Sequence, residues 1–178
     1  MNIMVTGHRP NGMPTGYGYN IDNKTWFNLK EVFKKIIMKY ADYKDVTLIS
    51  GMALGVDQAF WMTANELRNE SPDTYKIEAA VPFKGQESKW FNKSIQDYKM
   101  MIDNSDIVTI VSDGGYSAAK LELRNRYMVD KADVVIGVCC KNTGGTVNCL
   151  KYAKSKHKEI YIINPETLET RFYDFKER

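Results

Sequence analysis

Residues 46 to 57 read Val-Thr-Leu-Ile-Ser-Gly-Met-Ala-Leu-Gly-Val-Asp, and this stretch decides the fold. Val46 to Ser50 is a strand-like run that stops at Gly51. Gly55 follows, and helical spacing then sets Ala59, Phe60, Thr63, Ala64 and Leu67 on one face. Strand, glycine turn and helix together form the unit of a parallel sheet. The same unit recurs along the chain. Upstream, Ile3 to Val5 ends at Thr6-Gly7, and a helix is predicted from about Trp26 to Ala41, where Trp26, Leu29, Phe33, Ile36, Ile37 and Tyr40 keep the helical period. Downstream, Ile77 to Phe83 is strand, closed at Pro82. A helix from about Ser88 to Asp103 then turns Trp90, Phe91, Ile95, Tyr98 and Ile102 inward. Ile107 to Ser112 and Asp133 to Cys140 read as strands around a helix over Ala118 to Lys131. Another helix runs from Gly144-Gly145 to about Lys156, before a strand over Glu159 to Asn164.

Nearly continuous apolar strands separated by helices mark a mostly parallel sheet covered on both faces. With right-handed crossovers the expected fold is α/β: a Rossmann-like, doubly wound, three-layer α/β/α sandwich. The 178 residues suit one domain, with a polar appendage from about residue 166. Hydrophobic residues at 43% and charged residues at 26% exclude disorder, collagen and a disulfide scaffold. Lys and Arg number 25 against 22 Asp and Glu, so the net charge of +3 gives no bulk footprint for nucleic acid. Cys139, Cys140 and Cys149 follow no framework spacing, and adjacent cysteines in an apolar run read as small buried residues. His8 and His157 stand apart from any ligand-like cluster, so no metal and no cofactor are expected. The N-terminus lacks the pattern of a signal peptide, and no apolar run reaches the ~18 residues of a membrane span. A reduced, soluble, cytoplasmic protein with no membrane partner is the expectation.

In an open parallel sheet, ligands bind beyond the carboxyl ends of the strands, where helix N-termini present free N–H groups. Three glycine-bearing turns fall at that edge. They are Thr6-Gly7-His8-Arg9-Pro10, Ser50-Gly51-Met52-Ala53-Leu54-Gly55-Val56-Asp57, and Asn142-Thr143-Gly144-Gly145-Thr146. Each alone reads more readily as an ordinary tight turn; three on one edge point to a shared, anion-compatible pocket. None matches the dinucleotide fingerprint or a Walker A loop. Thr146 falls at the cap or first turn of its helix, and Arg9 can grip a phosphate in bidentate fashion. Asp57 suits either the helix dipole or a ribose hydroxyl. Arg124 shares a helix face with Met128, and solvent is the usual place for such an arginine. Five lysines lie from Lys141 to Lys158 with no acid among them; most follow the helical turn that starts at Thr146 and read as complementing the C-terminal end of that helix. Tyr17-Gly18-Tyr19 is placed to fold over the pocket as a lid.

Taken in order, these strings, with Pro82-Phe83, Gly85-Gln86 and the Arg124-Asn125 to Asp130 segment, resemble the YspA/YpsA-like branch of the SLOG superfamily of Firmicutes and their phages. The resemblance covers about residues 2 to 165. The superfamily also holds the LONELY GUY phosphoribohydrolases, the DNA-processing protein that loads recombinase on single strands, and nucleotide-sensing antiphage domains. The resemblance implies a Rossmann-like fold with a pocket for a nucleotide or ADP-ribose-like ligand. It assigns binding to Thr6, Gly7, His8, Arg9, Ser50, Gly51, Met52, Ala53, Gly55, Asp57, Pro82, Arg124, Asn125, Gly144, Gly145 and Thr146. The LONELY GUY pattern P-G-G-x-G-T-x-x-E carries a catalytic glutamate; here no acid follows Thr146 until Glu159. Hydrolysis of an N-glycosidic bond needs a carboxylate, which Asn148 cannot replace.

The leading expectation is therefore a binding protein, sensor or sequestering agent, for a nucleotide-like small molecule. The alternative is a nucleoside-monophosphate phosphoribohydrolase or ADP-ribose-processing enzyme, with Arg124, Asp57 and Glu122 as catalytic candidates. A second alternative is single-stranded DNA binding through Trp26, Trp61, Trp90 and the tyrosines. Homo-oligomers are compatible with all three.

Overall fold

The computed structural model of the chain describes residues 1–175. Its strands and helices run in order as β1 (Asn2–Gly7), α1 (Lys24–Ile37), β2 (Val46–Ser50), α2 (Val56–Glu70), β3 (Tyr75–Phe83) and α3 (Asn92–Asp103). Then follow β4 (Ile107–Ser112), α4 (Ala118–Lys131), β5 (Val134–Val138), α5 (Gly145–Ser155), β6 (Glu159–Ile163) and β7 (Thr170–Tyr173). One seven-stranded sheet takes the order β4-β3-β2-β1-β5-β6-β7, parallel except where β7 runs against β6. The chain winds outward from β1 to β4, then returns to lay β5 on the other side of β1, with Ile3 paired to both Leu48 and Val134. The winding direction therefore reverses between β1 and β5. The carboxyl ends of β2, β1 and β5 lie side by side at that switch point, the place where this architecture opens a crevice.

Alternation along the buried strands feeds two cores. Ile3, Val5, Leu48 and Ile77 face α1, α2 and α3, while Met4, Ile49, Ala80 and Val135 face α4 and α5. The first helix begins where Asn23 accepts hydrogen bonds from Thr25 N at 2.9 Å and Trp26 N at 3.1 Å, satisfying two otherwise orphaned donors. Its apolar stripe, Trp26, Leu29, Phe33, Ile36 and Ile37, is buried as the period predicts.

Several expectations need correction. Tyr17 is core rather than lid: it is buried, its hydroxyl donates to Pro165 O at 2.7 Å, and its ring stands edge-on to Trp26 at 4.6 Å. Phe91 precedes α3 as its N-cap and is 72% exposed, so the helix starts later than its apolar pattern implies. Of the cysteines only Cys149 is buried, because β5 ends before Cys139 and leaves Cys140 in solvent. Residues beyond Pro165 supply β7, whose side chains are exposed. The sheet is also not covered throughout, since Ile107, Val108 and Ile110 of β4 are exposed.

Candidate functional site

The three glycine turns meet at the switch point. Gly7 ends β1, and a Cβ there would press into the Val56 side chain, 2.6 Å from its Cβ, so the first turn of α2 packs directly on the end of β1. Gly55 caps α2 at φ +93°, a backbone state that favours glycine. A Cβ on it would stand 2.9 Å from Pro10 Cδ and 3.1 Å from His8 O, which places the first two turns in contact. Ser50 fixes the second turn by donating to Asp57 O at 2.7 Å and accepting from Met52 N at 3.2 Å. The third turn joins through Thr146 Oγ1, 3.5 Å from His8 Nδ1. Gly144 caps α5, and the space where a Cβ of Gly144 or Gly145 would go is open. Free N–H groups at the start of α5 thus face outward beside His8, at the positive end of the helix dipole.

Beneath these turns lies a buried charge pair. Asp57 Oδ2 accepts from Ala53 N at 3.2 Å and lies 3.4 Å from an Arg124 terminal nitrogen, with both side chains under 8% exposed. The same Arg124 nitrogen donates to Gly51 O, and Arg124 Nε donates to Asn125 Oδ1 at 3.0 Å. Gly51 must be glycine here, because a Cβ would collide with the guanidinium and stand 2.7 Å from Asp57 Oδ2. Burial pushes the Asp57 carboxyl up, against the opposing pull of Arg124, the Ala53 N–H and Arg9. The Cys149 thiol is pushed up to about 11 by burial, although Thr6 hydrogen-bonds to it. A protonated, buried thiol is a poor nucleophile. Burial, then the nearby Lys141 charge, lowers the His8 pKa. Its Nε2 is buried without a hydrogen-bond partner among the described residues.

The expected site residues therefore sort into layers. Thr6, Ser50, Gly51, Met52, Asp57, Arg124 and Thr146 are buried and form the floor; Gly7, His8, Ala53 and Asn125 are half-buried; Arg9, Gly144 and Gly145 face solvent. Gly55 is buried between the first two turns. Pro82 is buried within β3, one strand further out than β2. Arg124, for which solvent is the usual place, is instead inside. Glu122 is exposed, bound to Arg126 at 2.6 and 3.1 Å, on the wall of a cavity of about 630 Å³ between α4 and α5. That cavity reaches the third turn at Gly145. A second cavity, of about 420 Å³, lies on the far side of α5 against β6 and β7 and touches the third turn at Asn142.

Three residues at the site were not among those expected to bind. Lys141 sits before the start of α5, 3.4 Å from where a Gly12 Cβ would be, so it does not serve the helix's C-terminal end. Gln86 donates to Met52 O at 3.2 Å and ties the segment after β3 to the second turn. Cys149 lies one helical turn beyond Thr146, a spacing that could have placed it on the same face. Among the described residues, no three His, Cys, Asp or Glu side chains gather as a metal ion requires, and no helix is long and apolar enough to cross a membrane.

Known proteins fit this architecture. The SPbeta prophage-derived protein YoqJ of Bacillus subtilis is 30% identical over 161 residues, covering 81% of this chain and 92% of that one. The UPF0398 protein YpsA of the same organism is 24% identical over 173 residues, covering 93% of each. Among solved structures, DNA processing protein A of Streptococcus pneumoniae superposes with a TM-score of 0.63 at 18% identity, over 92% of this chain and 50% of that one. The Helicobacter pylori protein of the same name, described for its single-stranded DNA binding mode, gives a TM-score of 0.60 at 16% identity, over 92% of this chain and 65% of that one. The chain thus spans half to two-thirds of those structures, and the likeness shows the shared Rossmann-like fold. Matching from residue 3 to residue 168, the chain belongs to the YspA SLOG family.

Proposed function

We propose that this protein binds a nucleotide or an ADP-ribose-like small molecule at the switch point between β1 and β5, acting as a sensor or sequestering protein. The observation that carries the reading is the meeting of the three turns, with Thr146 Oγ1 3.5 Å from His8 Nδ1 at the open start of α5. A phosphate set there meets free helix N–H groups, the dipole, and the cations Arg9 and Lys141. His8 Nδ1, 3.5 Å from Thr146 Oγ1, is a further polar group where the turns meet. The 630 Å³ cavity reached through Gly145 is of ordinary size for a small-molecule site and gives room for the rest of the ligand.

Binding is favoured over hydrolysis by the placement of the carboxylates. Asp57 is held under the floor by Arg124 and the Ala53 N–H, and Glu122 is turned to Arg126. Single-stranded DNA binding has the DNA-processing relatives' fold behind it. Against it, Trp26 and Trp61 are core residues at 0% and 1% exposure, so they cannot stack on bases. Calorimetry with ADP-ribose, AMP and NAD tests the proposal: one-to-one binding of at least one of them is expected, and silence for all at millimolar ligand overturns it. Release of free base from AMP, lost in Glu122→Gln, establishes the enzymatic reading instead; salt-dependent oligonucleotide retention establishes the nucleic-acid one.

A further inference from the structure

We infer that two copies of this chain associate through β4, joining their sheets edge to edge about a two-fold axis. β4 is an outermost strand, and its outer side has no partner strand among the described residues. Edge strands are ordinarily blunted by lysine, proline, a bulge or a cover. Ile107-Val108-Thr109-Ile110-Val111-Ser112 carries no lysine or proline, and its register with β3 is unbroken from Glu78↔Ile107 to Val81↔Ile110. The free edge has hydrogen bonds to give. β3 turns its even-numbered amide groups toward β2, as Val46 N to Thr74 O requires, and its odd-numbered ones toward β4. In the register Ala79↔Val108, β4 answers through Ile107 and Thr109, which leaves the N–H and C=O of Val108 and Ile110 on the outer edge.

The side chains repeat the signal. Val108 is 45% and Ile110 51% exposed, over a shallow cleft of about 200 Å³ shared with Tyr98 and Ile102 of α3. On the other face Thr109 is tied inward to Glu78, while Ile107 and, on α4, Leu123 remain exposed. An apolar patch continuous across both faces of a free edge is an interaction surface.

A second copy is the occupant that this edge fits. A two-fold axis through Thr109 sets Val108 against Ile110 of the second copy and Ile107 against its Val111. Apolar residues then meet apolar ones, and no like charges stand opposite. Charge complements the pairing. Asp103, at the end of α3, lies by the start of β4; Lys84 follows Phe83, which pairs with Ser112 at the strand's end. Antiparallel alignment brings Asp103 of each copy alongside Lys84 of the other.

Sedimentation velocity of the full chain is the test, with a species of twice 20.4 kDa expected at micromolar concentration. The double substitution Val108→Lys/Ile110→Lys is expected to return it to monomer with its circular dichroism unchanged. Thr109→Cys, in a Cys139→Ser/Cys140→Ser background, is expected to cross-link under oxidised glutathione, because the axis sets the two copies' residue 109 face to face. If the lysine variant does not fold, the cross-link decides. A monomer throughout, a folded lysine variant that stays dimeric, or a dimer that does not cross-link at position 109 overturns the inference.

Discussion

Replacing Arg124 with leucine should expose how much the buried pair under the turns contributes. The guanidinium is the nearest positive charge to Asp57, and both side chains are sealed from solvent. Removing one partner of such a pair costs about 3–5 kcal/mol, because the other charge stays buried and uncompensated. The Ala53 N–H still holds Asp57 Oδ2 at 3.2 Å, and leucine keeps part of the apolar contact, so the lower end, about 3 kcal/mol, applies. In a domain of this length each kcal/mol moves Tm by about 2–4 °C, so a fall of about 6–12 °C is expected. The double variant Arg124→Leu/Asp57→Asn removes the stranded charge and should recover much of the loss. The pH dependence has a definite sign. Without Arg124, burial holds the Asp57 carboxyl above its ordinary value of 3.8, so the penalty is full once pH exceeds that raised pKa, falls away as pH drops from there towards 3.8, and is absent below it, where folded and unfolded states are both protonated. Thermal unfolding followed by circular dichroism at acidic and neutral pH measures both effects. A loss under about 1 kcal/mol, the range of an exposed pair, refutes the reasoning. So does a loss that is flat with pH and equal in the double variant.

Three further outcomes follow from the site. His8 is held below its ordinary 6.5 by burial and Lys141, and an anion beside the ring favours the protonated form. Ligand affinity should therefore rise on going from about pH 8 to about pH 6, a trend that His8→Gln flattens in calorimetric titrations. In the free protein the sign is opposite: the neutral ring's contribution to stability is full above pH 6.5 and is lost as pH falls through the lowered value. Gly145→Val puts a side chain into open space on the wall of the 630 Å³ cavity, so it should leave Tm within about 1 °C while weakening ligand binding about tenfold or more. Iodoacetamide followed by mass spectrometry should label Cys140 quickly in the native protein and Cys149 only after unfolding, since Cys149 is buried and its thiol is pushed up to about 11.

Local sequence carried the alternating architecture because each strand, turn and helix announces itself within about a dozen residues. VTLISGMALGVD gives strand, turn and helix start within one residue of the observed β2 and α2. Pairings between distant residues were not legible. Tyr17 looked free to move because its anchor, Pro165 O, lies 148 residues away. β4 has the composition of a covered strand and sits at the edge, since strand order is a property of the whole winding. Arg124 marks the boundary between these cases. It shares a helix face with Met128, which is 1% exposed, yet solvent was the expected place for it, because the carboxylate that makes an arginine tolerable inside arrives from α2. Phe91 followed the helical period yet fell outside the helix, because α3 begins only at Asn92.

The most direct measurement is an amide chemical-shift map of the isotopically labelled protein titrated with ADP-ribose. Saturable shifts concentrated at Gly7 to Arg9, Gly51 to Gly55 and Gly144 to Thr146 are predicted, since the three turns touch one another at the switch point. Shifts confined to the cleft between α3 and β4 or to the cavity beside β7, or no shifts at all, contradict a phosphate site at the switch point.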